Sequence, residues 1–417
     1  MIRSLRFAAT ILFAVILELP VIGNAQPFKV DKYDIKGDGG TDYVAVESAT
    51  GRVFVSRSTH MMVIEGATGK VLADISNTPG VHGAGIATKA GHGFTTNGGD
   101  STVTMFDLKT LAPIKQIKVS QGGLDGIMYD EPDDKIILTN HSRPIGTLTA
   151  LDPKTGEILA TVELEDTAPE GAAADGKGHI FVNNERKNTI QVIDVKTWKA
   201  TASWPLAPCE GPTGIAYDKA SDRIFSGCNN TSVVVDPKTG KVEATIKNGT
   251  RVDALGWDPT KKLVYIPNGG QGNVTIVHQD SPDKYTVVDT VATFQGAKTI
   301  AVDPATHTAY LFQPERGPAP APSAGTPPPT PGKGGRGPQG PVILSSVEPK
   351  TATVGTPNAA AICIGPESFV IINDDSANTP IKVSKVVFPL SIAAGPFMRS
   401  RIRSAIDRSL SDPISAT

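Results

Sequence analysis

Seven positions 40 to 45 residues apart carry side chains able to do chemistry together: Asp42, His82, Asp125, Glu170, Thr213, Asp253 and Lys298, with Glu210 and Arg251 close by in sequence. Four carboxylates, an imidazole and an amine converging on one point would bind a polar ligand. They could also hold a divalent cation, since carboxylate oxygens and a ring nitrogen suit such ions. His82, Asp125, Glu170 and Asp253 are the candidate metal ligands. A bound ion would polarise a carbonyl or activate water, which is the chemistry of a metal-dependent hydrolase. The competing reading is structural: an acid at the start of a strand can accept backbone N–H bonds from a neighbouring element and merely lace the fold together. His82 stands out in Val81-His82-Gly83-Ala84-Gly85, where small neighbours leave the ring room.

Such spacing needs elements that repeat. A short apolar strand ending in a polar residue recurs seven times, as in Val44-Ala45-Val46-Glu47, Gly126-Ile127-Met128-Tyr129-Asp130, Gly214-Ile215-Ala216-Tyr217-Asp218 and Ile300-Ala301-Val302-Asp303. Each copy continues with a second strand (Lys135 to Asn140, His179 to Asn184), a third (Ser101 to Asp107, Asn188 to Asp194), a polar turn and a fourth strand (Glu157 to Leu164, Lys241 to Lys247). Four short strands per period of this length describe a propeller blade, which cannot bury its own faces and must stack on its neighbours. The expected fold is therefore all-β: a seven-bladed β-propeller of four-stranded antiparallel blades. The strand from Phe28 to Ile35 has no blade of its own and the last copy lacks a fourth strand, so the N-terminal strand should close blade seven and remove the open edge.

Strand order then fixes faces. The seven site positions enter the inner strands at one face, the top, and should ring the mouth of the central channel. His60 and His141, in second-to-third connections, belong to the same face; His92, His179 and His307 belong to the opposite one. Cys209 and Cys228 both return to the top of neighbouring strands, which favours a disulfide in an oxidising compartment; Cys363 is left without a partner. Trp198, Trp204 and Trp257 are read as packing residues between blades.

The runs Ile136-Ile137-Leu138-Thr139-Asn140 and Ile180-Phe181-Val182-Asn183-Asn184, leading into Thr189-Ile190-Gln191-Val192-Ile193-Asp194, resemble the repeat of the YVTN family, which includes the YncE-like proteins. The resemblance spans residues 28 to about 313. It implies an exported seven-bladed propeller that serves as a binding or interaction module. Some relatives bind single-stranded DNA and other seven-bladed propellers are lactonases, so the fold leaves the chemistry to the site.

Arg3 and Arg6, the apolar run from Phe7 to Leu17, and Gly23-Asn24-Ala25 have the layout of a secretory signal peptide, over residues 1–25. The expected address is periplasmic or secreted, with no membrane span. Residues 26–313 should hold blades one to six and the start of blade seven. Residues 314–341 have ten prolines in 28 positions and read as a Pro/Gly-rich insertion. Residues 342–373 should complete blade seven, its third strand falling at Pro341 to Val347 or at Glu367 to Asn373, and 374–417 should be an irregular tail. A net charge of −2 and only 6% aromatic residues argue against a nucleic-acid partner. A protein or a small polar ligand is the expected partner, bound by a monomer. There is no phosphate-binding Gly-rich loop, no Cys-x-x-Cys-His haem site and no Gly-x-Ser-x-Gly elbow in a matching context. The leading reading is a non-catalytic binding module that takes its ligand at the top face, with no certain cofactor and a divalent metal as the one candidate. The alternative is a lactonase-type hydrolase using the same ring, and a quinoprotein-like redox propeller is a third reading without an attachment motif.

Overall fold

The computed structural model describes residues 28–316, 339–349, 360–365, 368–373 and 382–387. Residues 1–25, expected to be a signal peptide, lie outside these residues, as does most of the Pro/Gly-rich stretch. Seven four-stranded antiparallel sheets form the propeller, their inner strands running from Val44–Glu47 in blade one to Ile300–Asp303 in blade seven. Within each of blades one to six the strands follow in chain order from the inside outward.

Burial explains the sequence pattern of each strand. Second and third strands lie between neighbouring blades and are covered on both faces, so Lys135–Asn140 and Thr147–Leu151 read as nearly unbroken buried runs. Fourth strands face solvent, and Pro113–Lys118 is mostly exposed, with Ile114 at 48%. Where an aspartate ends the inner strand it builds the next turn: Asp175 Oδ1 accepts from the backbone of Lys177 at 2.6 Å and His179 at 3.0 Å, and Asp258 Oδ1 from Thr260 at 2.9 Å. The Asp-Pro-Lys-Thr-Gly turns work the same way. Asp152 Oδ1 accepts from Lys154 and Thr155, each at 2.8 Å, and Gly156 takes the φ of +68° that the turn requires.

Blade seven is closed by the N-terminal strand. Phe28–Asp34 pairs antiparallel with Gln339–Pro349, from Phe28 opposite Pro349 to Asp34 opposite Ile343. Phe28 is 5% exposed and meets Tyr265 of blade six edge to face, with ring centroids 6.5 Å apart. The chain then passes Arg57, a fully buried guanidinium that donates to Lys36 O at 2.9 Å and Gly37 O at 2.7 Å and lies over the Phe312 ring of blade seven. The clasp is thus pinned from blade one as well.

Of the two segments considered for the third strand of blade seven, Gln339–Pro349 occupies that place. It starts ahead of residue 342 because the preceding strand, Thr308–Arg316, runs past Gln313 and its partner must return alongside it. The rest of the 342–373 segment does not complete the blade. Ala360–Gly365, Ser368–Asn373 and Lys382–Val387 form a separate three-stranded antiparallel sheet, in a unit that begins at Lys350. Lys382–Val387 lies where an irregular tail was expected; Val383, Val386 and Val387 give it strand-forming content. Cys209 and Cys228 are disulfide-bonded, with Cα atoms 5.5 Å apart, and both are buried in the interface of blades four and five.

Candidate functional site

The inner strands deliver their first residues to the channel mouth by a repeated local device. In blades two, three and four the pairing of the inner strand slips by one residue, between Val81 and Ala84, Leu124 and Ile127, and Pro169 and Ala172. A bulge of this kind re-aims a side chain out of the strand's alternation. The re-aimed residues are His82, Asp125 and Glu170. Two glycines make room for these histidines, one for a ring and one for a backbone. A Cβ on Gly98 would stand 2.7 Å from His82 Nε2, and one on Gly123, whose φ is +55°, would stand 1.6 Å from His141 O. Gly123 O in turn accepts from His141 N at 2.7 Å, which sets that imidazole above Asp125.

Lacing between blades is carried mainly by the backbone of these same positions. His82 O accepts from Tyr43 N, Thr213 O from Gly171 N and Lys298 O from Asp253 N, each at 3.0 Å. Threonines add to it: Thr96 Oγ1 donates to Asp125 O at 2.6 Å, Thr213 Oγ1 to Val252 O at 2.9 Å, and Thr299 Oγ1 to Asp42 O. The side chains are left to face one another. Asp42, Tyr43, His82, Asp125, His141, Glu170, Asp253 and Lys298 line one cavity of about 320 Å³, with a smaller one of about 130 Å³ below it walled by Val44, Ala84, Ile127 and Leu255.

The polar contacts run round the mouth. His82 Nδ1 lies 2.6 Å from Asp42 Oδ2 and 3.0 Å from Asp125 Oδ1. His141 Nε2 lies 3.1 Å from Asp125 Oδ2 and 3.2 Å from Glu170 Oε1. The Tyr43 hydroxyl donates to Glu170 Oε2 at 3.0 Å. Lys298 Nζ is paired with Asp253 Oδ2 and stands 3.5 Å from Asp42 Oδ1.

Charge in so enclosed a place moves protons. Burial works against a charged His82, but Asp125 and Asp42 outweigh it and raise its pKa to about 10. Burial likewise opposes charge on His141, and Glu170 and Asp125 bring it up to about 9. Asp253 is pushed up to about 7, first by burial and then by Glu170 and Asp42, against the pull of Lys298. Glu170 is also raised, by burial above all. The mouth therefore holds more carboxylate than its fixed cation balances, and it makes up the difference with protons.

Not every expected residue joins. Asp253, expected among the metal ligands, is held instead by Lys298 from the next blade, because an ammonium lies nearer to it than either imidazole does. Glu210 is exposed, bridged to Asn229 through the backbone and outside the cavity lining. Thr213 lines the lower cavity, Arg251 is exposed, and His60 turns toward Asp74 of its own blade at 3.5 Å. Two participants lay outside the expected ring: His141, expected on the same face and arriving from a loop, and Tyr43, half-buried with its hydroxyl on Glu170. The position of Tyr43 directly after Asp42 was the available signal.

No family model matches the chain, and no curated protein does. Solved structures do resemble it. A chain of hydrazine synthase from Kuenenia stuttgartiensis is 15% identical, with a TM-score of 0.58 over 66% of this chain and 93% of that one. A chain of the mitotic checkpoint complex is 16% identical, with a TM-score of 0.60 over 73% and 95%. The WD40 repeats of RRP9 are 9% identical, with a TM-score of 0.60 over 69% and 90%. At such identities the likeness is one of fold. The YVTN-like resemblance accordingly reaches the seven-bladed propeller and stops short of the family.

Proposed function

We propose that this protein is an exported, non-catalytic binding module of the YncE-like type whose recognition site is the channel mouth, and that its ligand is positively charged. The observation that carries this is the convergence of Asp42, Asp125, Glu170 and Asp253 on one cavity that Lys298 alone serves as a permanently charged partner. The raised His82 and His141 support it, since an added cation would replace the protons those rings take up. Propellers suit binding because loops from seven blades meet on one rigid rim, and the likeness to WD40 repeats and to a chain of a multiprotein complex agrees with such a role. The first 25 residues support export to the periplasm or beyond.

Spermidine is a suitable first probe. At about a hundred times its dissociation constant a ligand adds about 2.7 kcal/mol to stability, or about 4 °C in a domain of this size. The wild type should show that rise and an Asp125→Asn, Glu170→Gln double variant should not. An unchanged melting temperature with spermidine and with divalent cations alike would overturn the reading.

A second reading, a metal-dependent hydrolase of lactonase type, is favoured by one observation: His82 and His141 both approach the Asp125 carboxylate beside a cavity large enough for a small substrate. Lactone hydrolysis that appears on adding a divalent metal and vanishes in Asp125→Asn would select it.

A further inference from the structure

We propose that the channel mouth is a dinuclear site for divalent cations, in which the Asp125 carboxylate bridges two ions, one completed by Asp42 and His82 and the other by His141 and Glu170. The proposal rests on the cation-binding reading above and names its ligand.

The donor atoms fall into two sets of three that share one member: Asp42, His82 and Asp125, and Asp125, His141 and Glu170. Within each set they lie within 4.8 Å of one another, so one ion with bonds of about 2.0–2.6 Å can touch all three. The separations of 3.0 Å from His82 to Asp125, 3.1 Å from His141 to Asp125 and 3.2 Å from His141 to Glu170 match the edges of a coordination shell with such bonds. Asp125 addresses the two rings with different oxygens, Oδ1 to His82 and Oδ2 to His141, as a carboxylate that bridges two ions through both oxygens does. Two-metal centres hold their ions about 3.5–4 Å apart, a distance one bridging carboxylate spans.

A separate observation concerns His141. Its Nε2 is sealed from solvent and is shared between two carboxylate oxygens, 3.1 Å from Asp125 Oδ2 and 3.2 Å from Glu170 Oε1, without a well-formed hydrogen bond to either. A buried nitrogen in that state costs free energy, and an ion between it and the two carboxylates would satisfy it. The surroundings orient the ligands as outer partners of a metal centre do. Tyr43 holds the second oxygen of Glu170, and Lys298 takes Asp253 and leans on Oδ1 of Asp42, leaving Oδ2 of Asp42 toward His82. With imidazole and carboxylate donors, and with Cys209 and Cys228 tied in a disulfide, the donor set suits manganese, ferrous iron or zinc rather than a soft ion.

Manganese alone tests this. The full chain is stripped with a chelator, dialysed against Mn²⁺, freed of unbound ion and counted by elemental mass spectrometry, with spermidine melts run on the same samples. The wild type should retain two ions per chain and give an exchange-coupled electron paramagnetic resonance spectrum. His82→Ala and His141→Ala should each retain one and give an isolated-ion spectrum, while Asp125→Asn falls below one. Should Asp125→Asn fail to fold, the two histidine variants carry the test. One ion in the wild type, or loss of every ion in both histidine variants, overturns the bridged pair. No ion with the spermidine rise intact overturns the metal assignment and leaves the cation-binding reading standing; no ion and no rise removes both.

Discussion

Replacing Phe28 by alanine should unclasp the propeller, and the structure fixes both the size and the kind of effect. Phe28 is 5% exposed, begins the strand that completes blade seven, and packs in a cluster with Tyr265, Val291 and Val347. Truncating a buried phenylalanine costs about 3–5 kcal/mol in transfer and cavity terms. For a cooperative unit of about 300 residues the unfolding entropy is about 0.6 kcal/mol per degree, so the melting temperature should fall by about 5–8 °C. Phe106→Ala is the matched control: it too is fully buried, against Phe54 between blades one and two, and should cost about the same. The two should differ in association. Loosening Phe28–Asp34 bares the edge of Gln339–Pro349, an unpaired strand that recruits other chains, whereas Phe106→Ala leaves each blade with its outermost strand in place. Calorimetry with light scattering during the melt separates them: both variants melt early, but only Phe28→Ala should associate below its midpoint. A Phe28→Ala protein that melts within a degree of wild type and stays monomeric would refute the clasp.

Three further outcomes are expected. Cys209→Ser with Cys228→Ser opens a loop with a sequence separation of 19, which in the chain-entropy account costs about 3 kcal/mol; equal denaturation midpoints for the double variant and the oxidised wild type would contradict it. Asp130, buried with Oδ2 unpartnered, is raised by burial to a pKa of about 6, so the folded state holds a proton that the unfolded chain releases near pH 4. Its contribution is present below that pH and lost as pH rises through 6; Asp130→Asn should gain about 1–2 kcal/mol over wild type at pH 7.5 after solvent screening, and little at pH 4, in urea melts at both pH values. Arg57→Ala should cost about 3–5 kcal/mol, because the carbonyls of Lys36 and Gly37 lose a buried charged donor and the ring of Phe312 loses its cover; a urea midpoint near that of wild type would show that the guanidinium does not pin the clasp.

The propeller was legible because a blade imposes a period. Strands covered on both faces must be apolar throughout, turns must carry Asp, Pro and Gly in fixed order, and an orphan strand at one end must pair with a gap at the other. The same period brought Asp42, His82, Asp125 and Glu170 to one ring. Pairing within the ring was less visible, since it depends on distances of a few tenths of an ångström across blades: Asp253 goes to Lys298, not to an imidazole. His141 sits in a loop, where the repeat sets no register, and its place follows from the tight approach of Gly123, which no count of residues reveals. Glu210 shows the converse error, for nearness in sequence to Thr213 did not carry it into the cavity. The third strand of blade seven was ambiguous because a long insertion erases the spacing that identified the others.

The most direct test of a cation site at the channel mouth is anomalous X-ray scattering from crystals of the full chain soaked in Mn²⁺. The account predicts two peaks flanking the Asp125 carboxylate, one beside His82 and one beside His141, both lost in Asp125→Asn. Well-diffracting soaked crystals with no anomalous density in that cavity would contradict it.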